Sequence, residues 1–147
     1  MGSYMDMADE QVREWWREAL RDLERASAML ELGWFDTACF HAQQAVEKAL
    51  KAVLRASGAI VRTHDLVSLM EMAEDRGLDT GGIDMDDVDV LSNQYMAPRY
   101  PNFREELSRR GVHYEYTREF GELCVQVARD VLRRVERWLA ERGLIRP

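Results

Sequence analysis

Five polar side chains fall on one face of a single helical stretch: His41, Gln44, Glu47, Lys48 and Lys51. Residues three and four apart are neighbours on a helix, so these steps line them up in one row. Such a row of imidazole, amide, carboxylate and ammonium groups can hold an anionic ligand or a polar partner surface. Glu47 and Lys51 also fit an i,i+4 ion pair. A second set lies further along: Arg99, Tyr100, Arg104, Arg109, Arg110 and His113, with Tyr95, Phe103 and Tyr114 among them. Arginine offers bidentate phosphate contacts, and aromatic faces can stack on a base. A plainer reading has Arg99 pairing with the acidic helix before it while Tyr100 and Pro101 anchor the returning chain. His64, flanked by Thr63 and Asp65, either caps or orients the helix it precedes or joins Arg99 in a polar pocket.

Helices must position these groups. The first is expected from about Asp9 to Leu32, capped by Asp6 or Asp9, with Trp16, Leu20, Leu23, Ser27 and Leu30 on one face and Gly33 as its stop. Asp36 is expected to cap the second, which runs to Ser57. This helix carries alanines at 38, 42, 45, 49, 52 and 56, a stripe small enough to let another backbone approach closely and a candidate seam for a second copy of the chain. Phe35, Cys39, Val46, Leu50 and Val53 form a larger apolar stripe beside it.

Shorter helices follow at Asp65 to Asp75 and at Met85 to about Tyr95. Met96 to Tyr116 reads as irregular, because Pro98, Pro101 and Gly111 interrupt any period. The last helix spans about Thr117 to Arg142, with Phe120, Cys124, Val127, Val131 and Trp138 at helical spacing. No stretch alternates with period two, so no sheet is expected. The expected fold is all-α: an antiparallel four-to-five-helix bundle with three long and two short helices. It forms a single domain over residues 1–147 with its core at about 9–142.

Composition narrows the function classes. The net charge of −7 argues against generic affinity for nucleic acid or anionic membranes. That charge is uneven: Glu71 to Asp89 holds eight acids and one base, whereas Met96 to Arg118 holds five arginines and three glutamates. The eighteen arginines outnumber two lysines, and both lysines, Lys48 and Lys51, sit in the polar row. Cys39 and Cys124 lie on apolar faces and are expected to be buried free thiols. No Cys/His ligand spacing points to a metal, and the acids at 84, 86, 87 and 89 lack the ligand order of a calcium loop. No cofactor is implied. No apolar run reaches the ~20 residues needed to cross a bilayer, the first residues do not read as a secretory signal, and a cytoplasmic location is the expectation.

The run from Trp34 to Lys51 resembles the signature helix of HEPN domains. So do His64-Asp65-Leu66, Arg99-Tyr100-Pro101 and Tyr116-Thr117, in that order and at fitting intervals across nearly the whole chain. The resemblance implies a helical bundle, commonly a homodimer, often paired with a minimal nucleotidyltransferase in a toxin–antitoxin-like system, and a role in binding nucleotides. Ribonuclease members of HEPN are similar to one another in an Arg-x4–6-His motif. Here His113 follows Arg109 and Arg110 by x3 and x2, and Arg104 by x8, so no arginine has the required spacing. His41 and His64 lack one as well.

The leading reading is therefore a binding module that pairs with itself and engages a nucleotidyltransferase partner, a nucleotide or RNA. His41, Gln44, Lys48, Lys51, His64, Arg99 and Tyr100 are the binding candidates. The alternatives are a metal-independent ribonuclease using His113, His64 or Arg109 in a non-standard set, and an oligomerisation scaffold without ligand.

Overall fold

The computed structural model describes the backbone of residues 4–147 and side chains from residue 7 onward. Among these residues the chain is entirely helical, with no strand, as the absence of period-two patterning predicts. Three long helices, α1 (Tyr4–Glu31), α2 (Phe35–Ala56) and α6 (Arg118–Glu141), carry the bundle. Three short ones, α3 (Leu66–Glu74), α4 (Met85–Ser92) and α5 (Pro101–Arg109), fill the connection between α2 and α6. A 3-10 turn (Asn93–Tyr95) follows α4.

α2 is the central element and packs against both α1 and α6. Side-chain bonds fix the directions: Arg55 reaches back to Gln11 and Lys48 to Asp22, so α1 and α2 run antiparallel. Arg129 meets Ser27 and Arg13 meets the Leu144 carbonyl, so α6 also runs against α1. Ala38, Ala42, Ala45, Ala49 and Ala52 have no exposed surface at all. Small side chains here let neighbouring helices close on α2. The stripe is thus consumed within one chain, and it cannot also be a seam for a second copy.

Three further expectations shift. α1 extends through Asp6 and Asp9, so neither caps it, and its buried row is Val12, Trp16, Ala19, Asp22 and Ala26. Leu20, placed inward by its spacing, is 37% exposed. Trp34 takes the N-cap position of α2, and Asp36 sits in the first turn, where its carboxylate accepts the Thr37 N–H at 2.8 Å. The segment read as irregular contains α5. Pro101 occupies the first helical position, where its missing N–H costs nothing and its fixed φ suits the helix. A proline read as an interruption is here a start.

The remaining caps follow the sequence. Asp65 caps α3 through the Val67 N–H, Asp84 caps α4 through Asp86 and Asp87, and Thr117 caps α6 through Phe120. α5 is the exception to the packing. It buries no residue, and no other described helix packs against it. It lines a cleft, and Arg104 near its middle donates to the Ala97 carbonyl.

Candidate functional site

Two buried carboxylates organise the polar face. Asp22 is 2% exposed and Glu47 4%, and an ionised group is kept in such a place only with charged, hydrogen-bonded partners. Asp22, projecting from α1, receives His41 Nδ1 at 3.0 Å, Lys48 Nζ at 2.6 Å and Arg25 at 3.2 Å. Burial pushes its pKa up, and the hydrogen bonds from His41 and Lys48 outweigh this and hold it below the ordinary value. Glu47, one face of α2 further round, receives His64 Nδ1 at 2.9 and 3.0 Å and Lys51 Nζ at 3.0 Å. Gln43, fully buried, donates to the same carboxylate at 3.1 Å and accepts from Gln44 at 2.7 Å. Each carboxylate therefore holds one histidine and one lysine of the predicted set.

The Glu47–Lys51 pair is present as the spacing predicts. Lys51 also lies near the exposed Trp15 ring, 5.9 Å from its centroid. Because both lysines answer a buried acid on their inner side, the row presents less free positive charge than the sequence suggests.

The second group surrounds Tyr95. His64 stacks on its ring at 4.1 Å between centroids, with the planes 14° apart. The Arg99 guanidinium lies over the same ring at 4.8 Å, over Phe40 at 4.7 Å and over Tyr100 at 5.2 Å. Its Nε donates to the Tyr95 carbonyl at 3.0 Å. The expected ion pair between Arg99 and the acidic fourth helix is not made; the rings hold the cation instead. Asp65, not His64, caps α3, while Glu47 fixes the imidazole. Tyr100 precedes α5 at its N-cap position and is 43% exposed. Phe40 packs edge-on against His41 at 5.3 Å, joining the two groups into one surface.

The sequence-predicted residues thus divide. His41, Gln44, Lys48, Lys51, His64, Arg99 and Tyr100 share the face built on α2. His113 and Arg109 lie elsewhere, lining a cleft of about 680 Å³ beneath α5 with Arg104, Tyr114 and Tyr116. Arg109 is turned to Glu106 at 3.2 Å, and Arg104 donates to the Ala97 carbonyl at 2.6 Å. Two tyrosines pin this return segment. Tyr114 accepts from Asn93 at 2.7 Å, and Tyr116 donates to the buried Gln94 at 2.7 Å. Burial raises the pKa of both phenols, so they remain protonated well into alkaline conditions.

Asp22, Gln43, Gln94 and Phe40 join the candidate site's packing and hydrogen bonds, and the sequence reading does not single them out as site residues. A signal for Asp22 exists: it follows Val12, Trp16 and Ala19 at helical steps, an acid on an otherwise apolar row. Cys39 and Cys124 are free and buried, and the neighbouring Cys39 thiol together with burial pushes the Cys124 thiol up. A thiol so held is not a nucleophile. No group of three or more metal-ligating side chains is gathered among the described residues, and no helix there is long and apolar enough to cross a membrane.

Comparison with known proteins follows the same geometry. The family model for the HEPN domain matches residues 12–138. The chain belongs to the HEPN family. A curated relative, "Putative toxin MJ1304" of Methanocaldococcus jannaschii, is 32% identical over 134 residues, covering 86% of each chain. The crystal structure of TT1696 from Thermus thermophilus superimposes with a TM-score of 0.67 at 28% identity, covering 86% of this chain and 97% of that one. The structure of ST0689, described as an archaeal HEPN homologue, gives 0.65 at 30% identity, with 87% and 97% covered. The stretches that resemble the HEPN signature therefore supply the residues that assemble the α2 face: His41, Glu47 and Lys51 with His64 and Arg99.

Proposed function

We propose that this protein is a toxin-like HEPN module that works by binding. It takes a nucleotide or a partner protein on the α2 face, acts as a homodimer, and pairs with a minimal nucleotidyltransferase in a toxin–antitoxin-like system inside the cytoplasm. The observation that carries the reading is the continuity of the face. His41, Phe40, Arg99, Tyr95, His64 and Glu47 touch in sequence, from α2 to the start of α3 and the approach to α5. Two buried carboxylates hold the face in place, at a cost in desolvation that a purely structural surface has no need to bear. The similarity to a relative named as a toxin supports the toxin-like context.

The test is assembly and ligand response together. Size exclusion with light scattering should give a dimer at working concentrations and a larger complex with a nucleotidyltransferase encoded beside the gene. A nucleotide panel should raise the melting temperature in proportion to ln(1 + [L]/Kd). A strict monomer that no nucleotide stabilises and no nucleotidyltransferase retains would sink the proposal.

One observation favours a second reading, a metal-independent ribonuclease. His113, Arg104 and Arg109 line one cleft beneath α5, so a proton-transfer group and two cations share its wall.

A further inference from the structure

Arg99 is held in an unusual way for a cation at a surface. Phe40, Tyr95 and Tyr100 present their ring faces to its guanidinium, at 4.7, 4.8 and 5.2 Å. The Nε hydrogen is committed to the Tyr95 carbonyl at 3.0 Å. Among the described residues, no carboxylate lies within ion-pair distance and no other acceptor is bound to the two terminal nitrogens. Their N–H groups are therefore unpaired among those residues, in a chain with 27 acids against 20 bases. An arginine set among three aromatic ring faces and tied through Nε keeps its terminal N–H groups for a ligand. Those groups form the fork that meets two oxygens of a phosphate at once. Aromatic packing also removes much of the rotamer freedom that a free arginine would lose on binding.

The surroundings select among anions. Tyr100 is 43% exposed, so part of its ring remains open to a flat group. His64 stacks on the same Tyr95 ring and is oriented by Glu47 through Nδ1, which leaves Nε2 as its outward nitrogen. An anion joined to a planar ring uses both features, whereas a simple carboxylate uses only the fork.

We propose that Arg99 is the phosphate-reading residue of the α2 face: its outer N–H pair grips the phosphate of a nucleotide or of an RNA 5′ end, while the attached base lies against Tyr100. This rests on the nucleotide branch of the proposed function, and it adds which group of the ligand is recognised and by which atoms. Aromatic stacking supplies sequence-tolerant affinity, and the fork supplies the demand for phosphate.

The test titrates the full chain calorimetrically with AMP, adenosine and inorganic phosphate, and with one short RNA bearing either a 5′-phosphate or a 5′-hydroxyl. AMP should bind at least tenfold more tightly than adenosine, and the phosphorylated RNA should show the same preference if RNA ends are the source. Arg99→Ala should bring AMP down to the affinity of adenosine. Arg99→Lys, which keeps the charge and loses the fork, should recover only part of the difference. Arg99 is exposed, so the variants should fold, and circular dichroism checks this. Equal binding of AMP and adenosine, or an Arg99→Ala protein that binds AMP as before, would overturn the assignment. If AMP does not bind but a nucleotidyltransferase partner is still retained and released by Lys48→Ala, the phosphate assignment fails while the binding-face reading stands. If neither nucleotide nor partner is held, both fail.

Discussion

Glu47 grips His64 across seventeen residues of chain, with imidazole Nδ1 at 2.9 and 3.0 Å from its two carboxylate oxygens. The contact fastens the connection between α2 and α3 to the central helix and sets the plane in which His64 meets Tyr95. Three donors, His64, Lys51 and Gln43, converge on that one carboxylate.

Replacing Glu47 by alanine should therefore be more costly than a surface change. It leaves Lys51, with only 10% of its side chain exposed, beside an uncompensated hollow. Removing one member of a buried pair costs ~3–5 kcal/mol, and the half-exposed His64 recovers some hydration, so a loss of about 3 kcal/mol is expected. Urea denaturation measures it, and histidine NMR resonances should show His64 released from its fixed tautomer. An unchanged midpoint would mean that the carboxylate contributes nothing net.

Asp22 makes stability depend on acid. Its native pKa is lowered by His41 and Lys48 against the effect of burial, from an ordinary value of 3.8. Because the folded value lies below the unfolded one, its contribution is complete above the unfolded value and is lost as pH falls through the folded value. Asp22→Asn should lower stability at neutral pH by about 2 kcal/mol. This is less than for a fully enclosed pair, since Lys48 and His41 keep about a quarter of their surface. The variant should also lose part of the wild type's decline below pH 4. Urea midpoints measured from pH 2.5 to 7 for both proteins test this, and parallel curves would contradict it.

How far the site was legible follows from these two acids. Glu47 stood in a polar row whose spacing was visible, and its pair with Lys51 followed from helical geometry alone. His64 lay seventeen residues away, and only the fold brings it to Glu47. Asp22 was hidden by its type: a charged residue is expected to face outward, although its position continued the apolar row of α1. The long helices were readable because their hydrophobic periods span many turns. α5 was not, because a nine-residue helix that buries nothing has no apolar face to announce it, and Pro101 looked like an interruption. The alanine stripe was rightly read as close packing. A stripe carries no sign of whether its partner belongs to the same chain.

Tyr116→Phe tests how firmly the segment after α5 is fixed. The phenol donates to Oε1 of Gln94, a fully buried amide, and removal of the hydroxyl leaves that oxygen without its donor. An unsatisfied buried acceptor costs ~1–3 kcal/mol, so a loss of about 1.5 kcal/mol is expected, with faster amide exchange over residues 93–97. In the wild type, burial raises the Tyr116 phenol pKa, so Tyr116→Phe should leave the early part of an ultraviolet difference titration unchanged. A smaller early absorbance change in Tyr116→Phe would show that the Gln94 contact is open in solution.

The cleft beneath α5 decides the ribonuclease question. His113 is exposed there, and Arg109 is spaced by three residues instead of four to six and turned toward Glu106 at 3.2 Å, with 73% of its side chain in water. Arg104 spends one donor on the Ala97 carbonyl. Both arginines thus have donors committed within the chain, and an acid–base group without a free phosphate-stabilising cation gives up much of the ~10²–10⁴-fold that such catalysis supplies. Purified protein incubated with single-stranded RNA in EDTA is therefore expected to leave the RNA intact, and His113→Ala is expected to behave identically. Cleavage that disappears in His113→Ala and persists in His64→Ala would place chemistry in the cleft. It would mean that α5, which no other described helix restrains, swings Arg109 into line when RNA binds.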